Sequence, residues 1–526
     1  MPRAAWLVAI LGIATVTVLP GSLAAQAEFA VPVKPGQLRI DIDPSWLSYD
    51  HYFDPGSPGT LVPVAAPFQA DSFGVAQLPF LSGPQSQIQQ VSGVGTFTFD
   101  LGATQVAMTK SVRTIPIGFE LGLSRRLAIG ATVPLVQSRV DVSFLVDSTR
   151  PGNVGLNPGL NNPSAVAPFQ SQIAAALSAL QAQADSGPAA LRSQAQALLA
   201  TLQPFLGLSA APLLPLPSTA AATGITTRLD SAQAAYAQLA GQYSAAGVTL
   251  PVFTDALLLP DSGATLGRAG LEQFFSDPGL PVAADTFGTM LHTGIGDVSA
   301  HLTYQLRDAD AFRSQILVTA RFPTGSPPSA TSFVDLGTGT HEFGLDAALA
   351  SDVRLGDRFL LHTVVRGGGA AADQLPMRVT PPGLPFAPFS QVATIKRTPA
   401  PYVGLELDPV WLMDDAFSVR VLYQFFSQGT TRHSYVNPAD SAQVGLPASV
   451  LDEGTAMRWM GIGVGVTFST LDRFTRGLAA LPYNLTVSYE NTIWGREGWV
   501  PQQGIFRITL RAYANLFGKT ATSPSH

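Results

Sequence analysis

The feature that most constrains the fold is a strict alternation of apolar and polar residues near the C-terminus. In the segment GIFRITLRAYANLFG (504–518), every second residue from Phe506 to Leu516 is apolar, and the residues between them are polar or amphipathic. A period of two places the apolar side chains on one face of a β-strand and the polar side chains on the other. A soluble β-sandwich would turn the apolar face toward its core, whereas a transmembrane barrel would turn it toward lipid. A single strand does not decide between them.

The same alternation recurs along the chain in segments of similar length. They include IPIGFELGL from Ile115, DVSAHLTYQL from Asp297, EFGLDAAL from Glu342, FSVRVLYQFF from Phe417 and NLTVSYENTIW from Asn484. Repeated segments of about ten residues, separated by turns, are typical of transmembrane barrel strands. The connections alternate short and long, as in bacterial outer-membrane barrels, which have short periplasmic turns and long external loops.

The predicted fold is therefore all-β: an antiparallel transmembrane β-barrel of about twelve strands, with its apolar faces turned toward lipid. The predicted strands are residues 37–50, 107–124, 126–146, 286–306, 311–323, 339–353, 358–369, 393–407, 416–428, 455–469, 483–494 and 504–517. In the third of these, the apolar residues move from odd to even positions near Leu135. This change predicts either a β-bulge or the emergence of the strand from the bilayer.

The N-terminus has the pattern of a signal peptide. Arg3 is followed by the apolar run AAWLVAILGIATVTVL, a Pro-Gly pair and a small-residue A-x-A site at Ala25 and Ala27. The run is short and ends in cleavage-type residues, so we expect cleavage after export rather than a retained anchor. The expected organisation is a signal peptide (1–27), the first strands with an external loop (28–146), a helical extracellular insert (147–285), the remaining strands (286–518) and a C-terminal tail (519–526).

The insert at 147–285 has helical periodicity. After Ser164, a candidate N-cap, apolar side chains recur at helical spacing in two stretches. They are Phe169, Ile173, Leu177 and Leu180 in the first stretch, and Leu229, Tyr236 and Tyr243 in the second. These narrow apolar stripes predict helices that pack on each other above the barrel. They would form either a surface insert or a lid or plug over the pore mouth.

If the apolar residues face lipid, the residues between them line the barrel interior. An Arg side chain turned toward lipid near the midplane would cost about 2–4 kcal/mol, so the charges should all face inward. The residues predicted to form the wall that sets selectivity are Arg313, Arg321, Asp346, Arg366, Glu406, Arg420, Glu490, Arg507 and Arg511. The alternative is a salt-bridged interior that only maintains the shape of the barrel.

Two finer expectations concern this wall. If the last two strands pair around the loop GREGWVPQQ, Glu490 would lie opposite Arg507 and Thr486 opposite Arg511. In the segment WMGIGVGVTF from Trp459, glycines alternate with lipid-facing residues. They would leave a smooth stripe on the inner wall, with room for a solute or an inserted plug.

Composition and motifs argue against other classes of function. Charged residues make up only 13% of the chain, the formal charge is −6 and no basic block occurs, so we expect no nucleic-acid partner. The seven histidines are scattered and cysteine is absent, so we expect neither a metal site nor disulfides. GTGTHEFG from Gly337 lacks the spacing of a phosphate-binding loop. His433 and Ser434 are adjacent and cannot act together on a strand, so we expect no catalytic residues, no cofactor and no enzyme.

The central segment resembles the outer-membrane family of meta-pathway phenol-degradation proteins. The resemblance covers 293–369 and rests on four short motifs. They are Gly296-Asp297 at a strand start, Pro323-Thr324-Gly325 after the next strand, Gly337-Thr338-Gly339 in the following loop and Phe343-Gly344 at the next strand. The motifs are turns, so no binding residue carries over. The resemblance implies a barrel that passes small hydrophobic or aromatic compounds.

The expected function is an outer-membrane channel for passive uptake of small, hydrophobic or aromatic solutes. The alternative is a non-conducting outer-membrane anchor whose helical insert binds a surface partner. The expected partners are outer-membrane lipid, a small-molecule solute and the barrel-assembly machinery, which would have to tolerate the nine residues after Phe517. The expected location is the cell outer membrane, reached by signal-peptide-directed export.

Overall fold

The computed structural model describes residues 33–57, 59–285, 288–381 and 383–516. Most of these residues belong to one antiparallel sheet that closes on itself, with helices and small sheets added at one end. The expected signal peptide (1–27) and C-terminal tail (519–526) lie outside the described residues.

Twelve strands follow one another round the barrel in chain order, and β12 pairs with β1 to close it. They are β1 (Gln37–Ile42 and Ser45–Tyr49), β2 (Gly102–Gly122), β3 (Leu127–Pro151), β4 (Met290–Ile295 and Ser299–Ala309), β5 (Phe312–Arg321), β6 (Gly344–Arg354), β7 (Phe359–Ala370), β8 (Tyr402–Leu412), β9 (Phe417–Gln428), β10 (Met457–Ser469), β11 (Tyr483–Arg496) and β12 (Gly504–Asn515). The predicted antiparallel barrel of about twelve strands is confirmed.

The outward face of the barrel carries an apolar band. Exposed fractions of 45% for Phe119, 49% for Ile129, 43% for Leu302 and 58% for Val464 show that large apolar side chains cover the outside of the wall. Such a surface is unfavourable in water but matches the hydrocarbon layer of a bilayer, where a closed barrel also leaves no sheet edge unpaired. The fold therefore defines a transmembrane barrel of the bacterial outer membrane.

The change of apolar phase in β3 reflects the end of this band. No bulge occurs there, because β2 and β3 pair residue by residue from Thr104–Val146 to Gly122–Ala128. Below the change, Leu135 faces lipid, and above it Arg139 faces outward in water, paired with Asp141. The inward-facing Val140 and Phe144 are buried at 1% and 2% exposure in the core that contains the insert. Emergence from the bilayer is therefore the correct explanation.

The helices of nine or more residues in the described chain lie in two external connections. α1 (Ser82–Ser92) belongs to the loop between β1 and β2, and the insert between β3 and β4 contains α2 (Pro163–Ser186), α3 (Arg192–Ser209), α4 (Ala220–Ala245) and α5 (Arg268–Ser276). None of the helices in the described residues has the length and apolar character needed to cross a membrane. All seven apolar positions predicted from their spacing are buried. Ser164 is not an N-cap: it lies inside α2, and its hydroxyl donates to the Asn162 side chain.

The hydrophobic core of the insert continues into the barrel. It includes Met108, Val112 and Val136, which face inward from the upper parts of β2 and β3. The insert therefore occupies the mouth of the barrel rather than standing clear of it. Three small sheets extend the same end. One contains Asp373–Arg378, Val392–Thr398 and Arg432–Tyr435, and a second contains His51–Phe53, Leu61–Pro63 and Val500–Pro501. In the third, Val154–Leu156 pairs with Leu213–Pro215.

The lipid boundary on β3 gives the first prediction. Ala131 and Gln137 both face outward, but Ala131 lies in the middle of the apolar band and Gln137 lies just above it. We expect Ala131→Arg to lower the free energy of unfolding by about 2–4 kcal/mol and Gln137→Arg by about 1 kcal/mol or less. Urea titration of the protein in lipid vesicles measures both values. Equal effects of the two substitutions would contradict the assigned boundary.

Candidate functional site: the lumen and mouth of the barrel

All nine predicted wall residues lie on the inward phase of their strands, and eight of them lie within the barrel. They are Arg321, Asp346, Arg366, Glu406, Arg420, Glu490, Arg507 and Arg511, and most are more than nine-tenths buried. Arg313 lies instead beside the short turn between β4 and β5, where its Nε is 3.2 Å from Asp308 Oδ1 and its side chain is 35% exposed. Their role in selectivity stays a prediction.

One group of charges surrounds Asp41 on β1. Arg39 Nε lies 3.0 Å from Asp41 Oδ2, and Arg511 Nε on β12 lies 2.9 Å from Asp41 Oδ1. Arg39 Nη2 also contacts Glu120 Oε2 on β2 at 2.5 Å. Arg39, Glu120 and Arg511 are less than 5% exposed. Asp41 therefore joins the first and last strands from the inside. The predicted site omits Arg39 and Asp41, although the alternation in QLRIDI marks them.

A second group of charges lies on the opposite side of the lumen. Arg366 on β7 pairs with Glu406 on β8, and the Tyr402 hydroxyl donates to Asp346 Oδ1 at 2.6 Å. Asp346, Arg366 and Tyr402 bound a cavity of only about 10 Å³, room for about one water molecule. The lumen at this level is filled with paired charges.

Five of the eight wall residues within the barrel, together with the inward His301 on β4, lie directly opposite a glycine on a neighbouring strand. The pairs are His301 with Gly130, Arg321 with Gly344, Asp346 with Gly368, Arg366 with Gly404, Arg420 with Gly465 and Glu490 with Gly463. A Cβ added to any of these glycines would come within 3.0 Å of the partner side chain. Each glycine thus provides the space in which a long polar side chain lies along the wall.

These pairs correct the predicted glycine stripe on β10. Gly461, Gly463 and Gly465 do face inward, as predicted, with Ile462 and Val464 exposed outside. The stripe is not open, because Glu490 covers Gly463 and Arg420 covers Gly465. It therefore holds neither a solute nor a plug.

The predicted register of the last two strands is wrong by two residues. β11 and β12 place Ser488 opposite Arg507, Thr486 opposite Thr509 and Asn484 opposite Arg511. The faces are as predicted, since Glu490, Arg507 and Arg511 all lie inside. A shift of two residues preserves the face of every side chain, so hydrophobic alternation alone cannot exclude it.

The family-like motifs come together around one carboxylate. Asp297 lies in the interruption of β4, where its Oδ1 accepts from the Gly325 amide at 2.9 Å and its Oδ2 accepts from the Thr340 amide at 2.7 Å. These two contacts join the start and end of the loop between β5 and β6, residues 322–343, which we call the inner loop. Ser138 Oγ on the inner face of β3 donates to Gly337 O at 2.6 Å, so the inner loop lies against the inside of the wall.

Five phenylalanines from four external segments meet above the charged lumen. We call Phe68, Phe73, Phe275, Phe333 and Phe386 the mouth cluster. The rings of Phe275 and Phe386 stack with centroids 4.3 Å apart, and those of Phe333, Phe68 and Phe73 lie 5.0, 5.3 and 5.3 Å from Phe386. The cluster joins the β1–β2 loop, the insert, the inner loop and the β7–β8 loop. The sequence alone does not predict that these phenylalanines pack together, because their contact depends on how distant loops fold.

A row of prolines crosses the wall at the upper edge of the lipid band. Pro44 interrupts β1, and Pro116 on β2 lies directly opposite Pro134 on β3. The row ends at the interruption of β4, where the Gly296 amide donates to Pro134 O at 2.8 Å. Proline has no amide N–H, so each one removes a hydrogen bond from the ladder. We call this row the seam; along it β1 and β4 are interrupted and the prolines supply no amide donors.

Solved structures of outer-membrane channels are similar to this chain at low sequence identity. An outer membrane channel from Pseudomonas putida F1 has 10% identity and a TM-score of 0.41, with 92% of this chain and 97% of that chain covered. The Ralstonia pickettii toluene transporter TbuX has 7% identity and a TM-score of 0.30, with 93% of each chain covered. The monoaromatic hydrocarbon channel CymD has 9% identity and a TM-score of 0.30, with 96% and 94% covered.

No protein-family profile and no curated protein sequence matches the chain. The resemblance to the phenol-degradation family therefore stays a prediction. Because the three TM-scores are below 0.5, the assignment of the fold rests on the strand pairing of this chain itself.

The glycine pairs give a prediction with a matched control on β7. A Cβ on Gly368 would overlap Asp346 Oδ1 and lie 2.8 Å from Leu345 O, whereas a Cβ on Gly369 would meet nothing closer than 3.8 Å. We expect Gly368→Ala to lower the free energy of unfolding by about 1–3 kcal/mol through overpacking, and Gly369→Ala to leave it almost unchanged. Urea unfolding in vesicles measures the difference. Similar values for the two variants would show that the glycine does not provide necessary space.

The Asp41 group gives a second prediction. Asp41→Asn removes the negative charge between two buried arginines, so we expect a loss of about 3–5 kcal/mol in the free energy of unfolding. The control is Asp308→Asn, which breaks the exposed pair with Arg313 and should cost about 1 kcal/mol or less. The same urea titration compares them. A loss for Asp41→Asn no larger than that of the control would show that these charges do not stabilise the closure.

Proposed function

We propose that this protein is an outer-membrane channel through which small hydrophobic solutes, including aromatic ones, move down their concentration gradient. The observation that carries the proposal is that an apolar region and a charged region follow one another along the barrel axis. An apolar, phenylalanine-lined mouth lies above the upper edge of the lipid band, and a lumen filled with paired charges lies below it.

The mouth cluster suits an apolar solute. Moving apolar surface out of water is favourable by about 25 cal/mol per Å², and aromatic rings pack against one another in stacked and edge-to-face arrangements. The mouth cluster contains both arrangements: Phe275 stacks on Phe386, and Phe68 meets Phe386 at 87°. A small aromatic molecule that displaces one of these rings would make the same kinds of contact with the others.

The charged lumen does not suit the same solute. Passage along the axis would require an apolar molecule to separate buried pairs such as Arg366–Glu406 and Asp41–Arg511, and breaking a buried pair costs several kcal/mol. The seam lies beside the mouth, and lipid covers its outer face. The route that the structure favours for such a solute therefore leads from the mouth through the seam into the membrane.

The filled lumen also favours a second function, an anchor that conducts nothing and uses its helical insert to bind a surface partner. In that case the mouth cluster would serve only as the hydrophobic core that fixes the insert on the barrel. The two functions differ in whether the protein increases the entry of apolar solutes.

Uptake of radiolabelled toluene tests the proposal. Cells whose outer membrane otherwise slows toluene entry should take it up roughly tenfold faster when they contain the protein, while benzoate, which has the same ring and a charge, should enter no faster. Pro116→Ala together with Pro134→Ala restores two amide donors at the seam and should reduce toluene uptake. Unchanged uptake with the protein inserted would leave the anchor function. Large ohmic conductance steps in a planar bilayer would instead show a water-filled axial pore and contradict the route through the seam.

A further inference from the structure

Three external segments meet at one buried side chain, Arg378, which ends the strand Asp373–Arg378 and is 3% exposed. Its Nη1 donates to Val282 O of the insert at 3.1 Å and also to Ala387 O of the β7–β8 loop. Its Nε donates to Ala330 O of the inner loop at 3.2 Å. One guanidinium thus holds the three segments that carry Phe275, Phe386 and Phe333.

The bonds of this guanidinium differ from those of Arg397, another buried arginine of the same small sheet. Within the described residues, no carboxylate lies within salt-bridge distance of Arg378 and its Nη2 has no hydrogen-bond partner. The guanidinium also lies over the Phe333 ring, whose centroid is 5.4 Å from Cζ. Arg397, in the same small sheet, is instead paired with Glu342 and Asp373 at 3.0 and 2.6 Å. Burial lowers the pKa of Arg378 to about 10, against the opposing effect of the nearby Asp285 carboxylate, and Arg378 remains charged at neutral pH.

A cation whose hydrogen bonds all go to carbonyls, with its nearest carboxylate beyond salt-bridge distance, is bound less firmly than one in a buried ion pair. Each carbonyl contact depends on the position of a different loop, so movement of any one loop removes a hydrogen bond from the guanidinium. The insert and the inner loop make a second contact near Arg378, between Asp285 and Thr331. The Asp285 amide donates to Thr331 O at 2.9 Å, and Thr331 Oγ1 donates to Asp285 Oδ2 at 2.8 Å.

We propose that Arg378 is the positioning residue that holds the mouth cluster closed, and that solute enters when the inner loop separates from the insert at Arg378 and Asp285. The part of this inference that concerns solute entry rests on the proposed function. The part that concerns closure does not, since it is a statement about which contact keeps the external segments together.

Amide hydrogen exchange of the protein in vesicles tests the closure. Arg378→Met keeps most of the side-chain length and removes the hydrogen-bonding group. We expect exchange at Asp285, whose amide bonds the inner loop, and at Phe389, whose amide donates to Pro281 O at 2.8 Å, to become roughly tenfold faster or more. Amides of β7–β9 should be unaffected. The control is Arg432→Met, which removes an arginine of the same small sheet whose side chain is 73% exposed and should change none of these rates.

A disulfide provides a second, independent test. The chain contains no cysteine, so Asp285→Cys with Thr331→Cys can form only the intended bond, at a pair whose side chains are already in contact. The oxidised variant should take up toluene at the background rate, and reduction should restore uptake. This variant also tests the inference if Arg378→Met fails to insert.

The outcomes separate the two proposals. Unchanged exchange in Arg378→Met would overturn the role of Arg378 in closure, and unchanged uptake in the oxidised disulfide variant would overturn entry between the inner loop and the insert. Faster exchange in Arg378→Met, with no toluene uptake by any variant or by the unmodified protein, would confirm the closure and contradict the channel function.

Discussion

The structure depends on the hydrogen bonds that close the sheet between β12 and β1. Lipid offers no partner to a backbone N–H or C=O group, so a membrane-spanning sheet must pair its last strand with its first. Here β12 pairs with both parts of β1, from Gln37–Asn515 to Ser48–Gly504. Closure with only twelve strands makes the interior narrow, and the polar face of every strand must share that space. The ion pairs around Asp41 and Arg366 are the consequence, because charges so close together and out of bulk water must neutralise one another.

The faces of the strands could be predicted from the sequence, whereas their register could not. Alternation decides which side chains meet lipid, and it placed Arg507, Arg511 and Glu490 inside correctly. Register depends on contacts between strands, and a shift by two residues moves no side chain to the other face, so the pairing of Arg507 with Ser488 could not be derived from alternation. The change of apolar phase in β3 could be predicted from the sequence. Only the structure shows that the inward Val140 and Phe144 belong to the core of the insert.

The candidate site at the mouth could not be predicted because it is assembled from distant loops. Phe68, Phe275 and Phe386 are ordinary apolar residues in their own segments, and nothing in the local pattern marks them as neighbours. The sequence does not indicate a role for Arg378 either. It lies in a short external strand and donates to carbonyls rather than to an acidic residue near it in sequence. The turn motifs of the inner loop were visible, and their meeting at the Asp297 carboxylate explains why glycine and threonine occur at 325 and 338–340: a Cβ on Gly339 would lie 2.8 Å from Asp297 Oδ1.

The pairing of inward glycines with long polar side chains has a consequence for assembly. Each pair fits only when glycine and side chain are directly opposite, as Arg321 and Gly344 or Arg420 and Gly465 are. A slip of two residues, which the lipid-facing pattern would tolerate, would bring several of these side chains against a residue that has a Cβ. The interior contacts therefore distinguish between strand registers that present the same apolar side chains to lipid. The small residues of the wall act as a check on strand alignment while the barrel forms, and a glycine changed there would be expected to produce misaligned barrels as well as weaker ones.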